Sequence, residues 1–149
     1  RLFQKIREEK GLVYSIYSYP ASYRNAGLFT VYAGMNPEHL NEVVSLIVKE
    51  AKVLVKNGLK KDEFIKSKEQ LKGNYILGLE STSSRMNSIG KSELLLGYIS
   101  TPEEVLKKID DISPESVKRV IEKVFDINRI SISMVGNIKD EIDLGKFIN

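Results

Sequence analysis

The first nineteen residues constrain the fold most, because an amphipathic helix runs through a glycine directly into a tyrosine-bearing strand. Apolar side chains recur at helical spacing at Leu2, Phe3 and Ile6, and a charged run follows them. Gly11 lies where a left-handed helix C-cap is expected, because glycine accepts a positive φ without a Cβ penalty. Residues 12–19 are rich in β-branched and aromatic side chains, which favours a strand. The sequence therefore predicts a tight corner between a helix and a strand.

Two polar side chains flank this corner, and a rigid corner would aim their tips into one space. Arg7 lies in the last turn of the expected helix, and Tyr14 lies in the expected strand. Each also has a plain structural interpretation. An arginine near a helix C-terminus is favoured electrostatically in any protein. Tyr14 shares its strand face with Leu12 and Ile16, so alternation predicts an ordinary core tyrosine. The residues alone leave both interpretations open.

Length and composition predict one domain over residues 1–149, since 149 residues with 42% hydrophobic content can bury a sizeable core. We find no apolar run long enough for a bilayer and no signal-peptide pattern, so no membrane partner is expected, and the lack of cysteine fits a reducing cytoplasm. The absence of cysteine excludes disulfides and thiolate chemistry. A net charge of +3 with interspersed signs argues against a nucleic-acid partner.

The single histidine, His39, excludes a self-contained histidine-based zinc site, because such sites need two or three histidines. His39 falls in the first turn of an expected helix, where a solvent-exposed side chain is the simplest expectation. No metal ligand is therefore assigned to this chain.

The order of elements predicts an α+β fold. Strands are expected over residues 12–19, 28–35 and 129–135, and a run of helices separates the second strand from the third. The short link between the first two strands makes them antiparallel neighbours. Helix starts and stops are marked by Asn36 and Pro37, Gly58, a serine run from Ser81, the capping box Thr101–Glu104, and Ser113 with Pro114.

Strands and helices that segregate in this way indicate an antiparallel sheet with a layer of helices on one face. Three strands are too few to cover the apolar faces of two helices about 30 Å long. We therefore expect N-terminal strands to be missing, either upstream in a longer parent polypeptide or supplied by another chain. Exposed sheet edges would also permit two copies to pair as a homo-oligomer.

Several segments resemble the C-terminal half of the pitrilysin family of zinc peptidases, the inverzincins, in the branch that includes the mitochondrial processing peptidase. The most specific segment is RLFQKIREEKGLVYSI, a helix ending in arginine followed by Gly-Leu-x-Tyr. The segments LKKDEFIKSKEQLKGNYILGLEST, the serine-rich turn with Arg85, and ISPESVKRVIEKVF follow in the family's order. Together these segments cover nearly the whole chain.

The resemblance implies a partner and a pair of site residues. In this family an N-terminal half carries His-x-x-Glu-His, whose histidines bind zinc and whose glutamate acts as general base on zinc-bound water. The C-terminal half lacks that motif and contributes an arginine and a tyrosine, which correspond here to Arg7 and Tyr14. The tyrosine hydroxyl would donate to the scissile carbonyl as it becomes an oxyanion, and the arginine would hold the peptide backbone or orient the tyrosine.

The leading hypothesis is therefore the substrate-binding, non-metal half of a zinc endopeptidase that cleaves unfolded peptides or presequences. Such a half would be inert alone, because the zinc would be bound by the partner half. One alternative is a non-catalytic peptide-binding or assembly subunit of the same fold. Another is an unrelated α+β interaction module.

Overall fold

The computed structural model describes residues 1–138 and 145–148, and no helix in these ranges is both long and apolar enough to cross a membrane. The fold class is α+β, as predicted: the described residues are 62% helical and form a two-stranded antiparallel sheet. Two compact units are present. One contains Arg1–Gly58 with Val120–Asn149, and the other contains Leu59–Arg119. The assignment of residues 1–149 to one domain stays a prediction.

The sheet of the first unit is a single hairpin. Strand β1 (Ser15–Ser22) pairs antiparallel with β2 (Gly27–Gly34), from Ser15 opposite Gly34 to Ser22 opposite Gly27. The loop between them is closed by the Tyr23 N–H, which donates to the Ala26 carbonyl at 2.8 Å. The antiparallel pairing is as predicted, but β1 begins later than expected and includes Pro20. Proline is tolerated there because both strands of a two-stranded sheet are edge strands.

One face of the hairpin packs against a helix. Helix α1 (Leu40–Asn57) contributes Val43 to a buried cluster with Ile6, Val13 and Ile16. Ile6 and Val43 are completely buried. The opposite face of the hairpin carries Tyr17 and Tyr32, whose rings stack with centroids 4.9 Å apart. The sheet is therefore apolar on the side of α1 and aromatic on the other side.

Helix α1 begins and ends where the sequence predicts. The Asn36 side chain accepts from the Glu38 N–H at 3.2 Å, and a 3-10 turn over Pro37–His39 precedes the α-helix. Gly58 ends the helix with φ +66°. His39 is half-buried, so the expectation of an exposed side chain was wrong.

The second unit contains helices α2 (Lys61–Gly78), α3 (Thr82–Leu96) and α4 (Pro102–Asp110). It also contains the first residues of α5 (Pro114–Val124), whose last residues belong to the first unit. Its caps are as expected: the Ser81 hydroxyl accepts from the Ser84 N–H, and Thr101 and Glu104 form a reciprocal capping box. Lys68 on α2 donates to the carbonyls of Asp110 and Ile112, at 2.5 and 3.2 Å. These bonds hold α2 against the C-terminal end of α4.

Apolar side chains of helix α3 are exposed. On α3 the apolar side chains Met86, Leu94 and Leu95 are 66%, 84% and 61% exposed. In helix α2, a Cβ built on Gly73 or Gly78 would meet nothing within 4 Å.

The prediction of a third strand over residues 129–135 is wrong. A 3-10 turn over Ile127–Arg129 leads into residues 130–135, which pair with no other segment that the structure describes. Ile130 and Ile132 are half-buried while Ser131 and Ser133 are exposed, so burial alternates over these four residues, but Met134, predicted on the apolar face, is exposed. A strand also requires a neighbour to accept its hydrogen bonds, and alternation alone does not supply one. Of the expected helical tail, Gly145–Ile148 forms α6, and residues 139–144 and 149 lie outside the described residues.

Candidate functional site

The turn that carries Arg7 is a π-helix over Phe3–Glu8 rather than the α-helix that the periodicity predicted. The Glu9 N–H donates to the Gln4 carbonyl at 2.9 Å, an i→i−5 bond. Gly11 ends the turn with φ +66°, and its N–H donates to the Arg7 carbonyl at 3.0 Å. This is the left-handed cap that the sequence predicted. π-turns are rare and often occur at functional sites.

Arg7 lies in the last turn of this helix and is exposed. Its guanidinium carbon lies 5.1 Å from the centroid of the Phe3 ring, within the range of a cation–π contact. The ring supports one side of the guanidinium, and the exposure of Arg7 leaves it accessible to an anionic or carbonyl ligand.

Tyr14 is 75% exposed, so the interpretation as a core tyrosine was wrong. Val13 and Ile16 on either side of it are 6% and 5% exposed. The reason is a bend at Tyr14, before β1 begins at Ser15, which breaks the strict alternation assumed from residue 12 onwards. The Tyr14 N–H donates to the Gly34 carbonyl at 2.8 Å, so its backbone is fixed while its phenol faces solvent.

Two cavities of the described residues lie away from Arg7 and Tyr14. One, of about 550 Å³, is lined by residues that include Lys52 of α1, Phe125 and Asp126. The other, of about 200 Å³, lies in the second unit near Tyr75 and Arg85. Neither of these two cavities is lined by Arg7 or Tyr14.

Sequence reasoning missed how the Arg7 turn is attached to α1. Lys5 Nζ lies 2.5 Å from Glu50 Oε1, and Lys10 Nζ lies 3.0 Å from Glu42 Oε1. A signal was available, since Glu50 follows Val43 by two helical turns and therefore lies on the buried face of α1. A carboxylate on an apolar helix face usually has a specific partner.

The pKa shifts that the structure supports lie on α2, α4 and α5. The hydrogen bond from Lys72 to Asp110 raises the pKa of Lys72, although partial desolvation opposes it. Hydrogen bonds from the residues' own backbone N–H groups, and then from Thr101 and Ser113, lower the pKa of Glu103 and Glu115. The shifts of Glu103 and Glu115 reflect helix capping, and the shift of Lys72 reflects its ion pair with Asp110.

The described residues contain no group of three or more His, Asp or Glu side chains that could hold a metal ion. They therefore do not fit a zinc site. Arg7 and Tyr14 offer an exposed guanidinium cation and an exposed phenol donor.

Comparison with known proteins gives the following likenesses. Residues 1–71 match the family model described as the Peptidase M16 inactive domain. The chain is 40% identical over 141 residues to an uncharacterized zinc protease of Streptomyces coelicolor, covering 95% of this chain and 30% of that protein. It is 39% identical over 140 residues to the uncharacterized zinc protease YmxG of Bacillus subtilis, covering 93% of this chain and 34% of that protein. The chain thus spans about a third of the length of these curated relatives.

Solved structures share the fold. A crystal structure of a conserved protein from Enterococcus faecalis V583 superposes with a TM-score of 0.67 at 25% identity, covering 82% of this chain and 28% of that one. A chain of complex III2 from Candida albicans superposes with a TM-score of 0.70 at 22% identity, covering 80% of this chain and 28% of that one. The second likeness concerns the fold alone.

Proposed function

Because this chain belongs to the M16, or pitrilysin, peptidase family through its inactive domain, we propose that it is the substrate-binding half of a zinc-dependent endopeptidase of unfolded peptides. Relatives that are about three times as long are named zinc proteases. The proposed substrates are unfolded peptides or presequences, because an extended chain can reach into a site assembled from two halves.

The zinc belongs, in this proposal, to a second half that carries His-x-x-Glu-His. The described residues of this chain lack the donors for it. The metal would supply the activated nucleophile of the hydrolysis. Everything that this chain contributes is then binding and electrostatic stabilisation, so the chain alone is inert.

Tyr14 is assigned the role of hydrogen-bond donor to the scissile carbonyl. Its phenol would donate to the carbonyl oxygen as negative charge develops there, and one such donor is worth about 3–4 kcal/mol in comparable sites. Arg7 would bind a backbone carbonyl of the peptide or orient Tyr14. A guanidinium suits this task because it presents several donors in a fixed plane.

The observation that carries the proposal is the combination of an exposed phenol and a fixed backbone at Tyr14. The side chain is 75% exposed, although the buried Val13 and Ile16 flank it and its N–H is bonded to Gly34. A tyrosine with only a packing role would bury its ring. The arrangement therefore favours a ligand-contacting group that is held ready before binding.

The test is peptide cleavage by this chain assembled with its zinc-binding half, followed with a quenched fluorescent peptide. Tyr14→Phe removes only the hydroxyl and is expected to lower kcat about 100-fold with little change in KM. Tyr23→Phe is the matched control, since Tyr23 lies at the far end of the same hairpin and is 68% exposed. It should leave kcat within twofold.

An undiminished rate in Tyr14→Phe would remove this residue from the site. An assembled, zinc-loaded complex that binds the peptide without cleaving it would instead establish the alternative, a non-catalytic peptide-binding subunit. Fluorescence anisotropy of the labelled peptide separates these outcomes, because it measures binding independently of turnover.

A further inference from the structure

Two ion pairs attach the helical turn that carries Arg7 to α1. Lys5 pairs with Glu50, and Lys10 pairs with Glu42. Arg7 lies between the two lysines in sequence, and the order of their partners is reversed on α1. Both lysines therefore contact the same helix, one on each side of Arg7 in the sequence.

The two pairs differ in their environment. The Glu50 side chain is 11% exposed, whereas the Glu42 side chain is 50% exposed. Glu50 Oε2 is buried and accepts no hydrogen bond from the described residues, while Oε1 lies 2.5 Å from Lys5 Nζ. A buried carboxylate with one unsatisfied oxygen is costly, because the lost hydration is only partly replaced.

Stability alone does not account for this arrangement. Buried ion pairs are often no more stabilising than apolar side chains of similar volume. A short charged contact does provide one fixed direction and distance between the two helices. That matters here because the Arg7 turn is π-helical, and its i→i−5 bonds are rarer than those of an α-helix. A return to α-helical winding would point Arg7 in a different direction.

We propose that Lys5 and Glu50 are positioning residues. They keep the turn π-helical and hold it against α1, so that the Arg7 guanidinium faces the peptide. This inference rests on the proposed function. Lys5 and Glu50 do not touch the substrate; they act through Arg7. The exposed pair of Lys10 and Glu42 contributes little, because solvent screens it.

The test uses the assembled peptidase and the quenched peptide. Glu50→Gln keeps the size of the side chain but removes the charge that fixes Lys5. It is expected to lower kcat/KM about 10- to 100-fold, the range in which small displacements of site groups act. Glu42→Gln removes the same charge from the exposed pair and should change kcat/KM less than twofold.

Coupling to Arg7 separates positioning from a general structural effect. In an Arg7→Ala background, Glu50→Gln should change kcat/KM less than twofold, because the group that it positions is absent. An equal loss in both backgrounds would overturn the inference. If Arg7→Ala lowers kcat/KM and Glu50→Gln does not, the positioning role alone fails. If Arg7→Ala has no effect on kcat/KM, the proposed role of Arg7 fails, and the positioning role that depends on it fails as well.

A second variant keeps the test valid if Glu50→Gln folds poorly. Combining Lys5→Met with Glu50→Leu replaces the pair by apolar side chains of similar volume, which commonly preserves stability. We expect this variant to fold and still to lose about 10-fold or more in kcat/KM. A folded variant with full activity would overturn the inference.

Discussion

Gly11 lies at the corner between the π-helical turn and the residues that lead into strand β1. Its replacement by alanine tests whether this corner depends on the left-handed backbone conformation of glycine. The residue has φ +66°, and a Cβ built on it would meet nothing within 4 Å. Steric clash therefore adds nothing to the effect of Gly11→Ala on stability. The folded-state cost of the substitution comes only from the left-handed backbone conformation at this position.

The expected size of the effect follows from two opposing terms. A non-glycine residue in the left-handed region costs about 1–2 kcal/mol. Alanine also restricts the unfolded chain, which favours folding by about 0.4–1 kcal/mol. The difference predicts that Gly11→Ala lowers the free energy of unfolding by about 1 kcal/mol. Gly73→Ala should have the opposite sign, because Gly73 is inside helix α2 with equally open space around it, and alanine stabilises a helix by about 1 kcal/mol relative to glycine.

Urea unfolding followed by circular dichroism measures both variants. With a slope near 2 kcal/mol per molar urea, each should move the midpoint by about 0.5 M, Gly11→Ala downward and Gly73→Ala upward. Gly58→Ala is the matched control, since Gly58 also has φ +66° and open space; it should move the midpoint downward as well. Gly11→Asn should lose less, because asparagine tolerates the left-handed region. A Gly11→Ala midpoint at or above wild type would refute the reasoning.

Two further predictions concern the core and the helix caps. Ile6 is completely buried in the cluster that the Arg7 turn covers. Ile6→Ala should therefore lower the free energy of unfolding by about 3 kcal/mol, and Ile6→Val by about 1 kcal/mol. Equal losses for the two variants in urea unfolding would contradict this packing. The pKa values of Glu103 and Glu115 are lowered in the folded state. Both carboxylates therefore stabilise the fold at pH values above the ordinary glutamate pKa of 4.5. This stabilisation is lost as the pH falls through their lowered pKa values. The stability difference between wild type and a Glu103→Gln, Glu115→Gln double variant should therefore shrink between pH 6 and pH 3, and a pH-independent difference would contradict the assignment.

Features that depend on a few neighbouring residues were predictable from the sequence. Gly11 and Gly58 have the positive φ that their positions at helix ends predict, and the capping box of Thr101 with Glu104 forms as expected. The hairpin also follows from two adjacent strand patterns with a short link. Each of these features is decided within about four residues or between directly consecutive elements, where sequence spacing fixes geometry.

Features that depend on distant partners were not predictable. The alternation of residues 130–133 gives the right pattern of burial, but strand formation needs a hydrogen-bonding neighbour. The exposure of Tyr14 depends on a backbone bend at Tyr14, just before strand β1 begins at Ser15. The bend breaks the alternation of buried and exposed side chains that a continuous strand would have. The pairing of Lys5 with Glu50 joins residues 45 positions apart, and only the place of Glu50 on the apolar face of α1 hinted at it.

The sequence by itself determined the chemistry available at the corner: a guanidinium and a phenol on either side of a glycine that can adopt a positive φ. Tertiary structure alone decided that the phenol faces solvent, that the turn before it winds as a π-helix, and that Glu50 is buried against Lys5. The physical reason is that backbone caps are local, whereas burial and charge pairing depend on which surfaces meet. For the turn that carries Arg7, that surface is helix α1, which Ile6 and Lys5 contact.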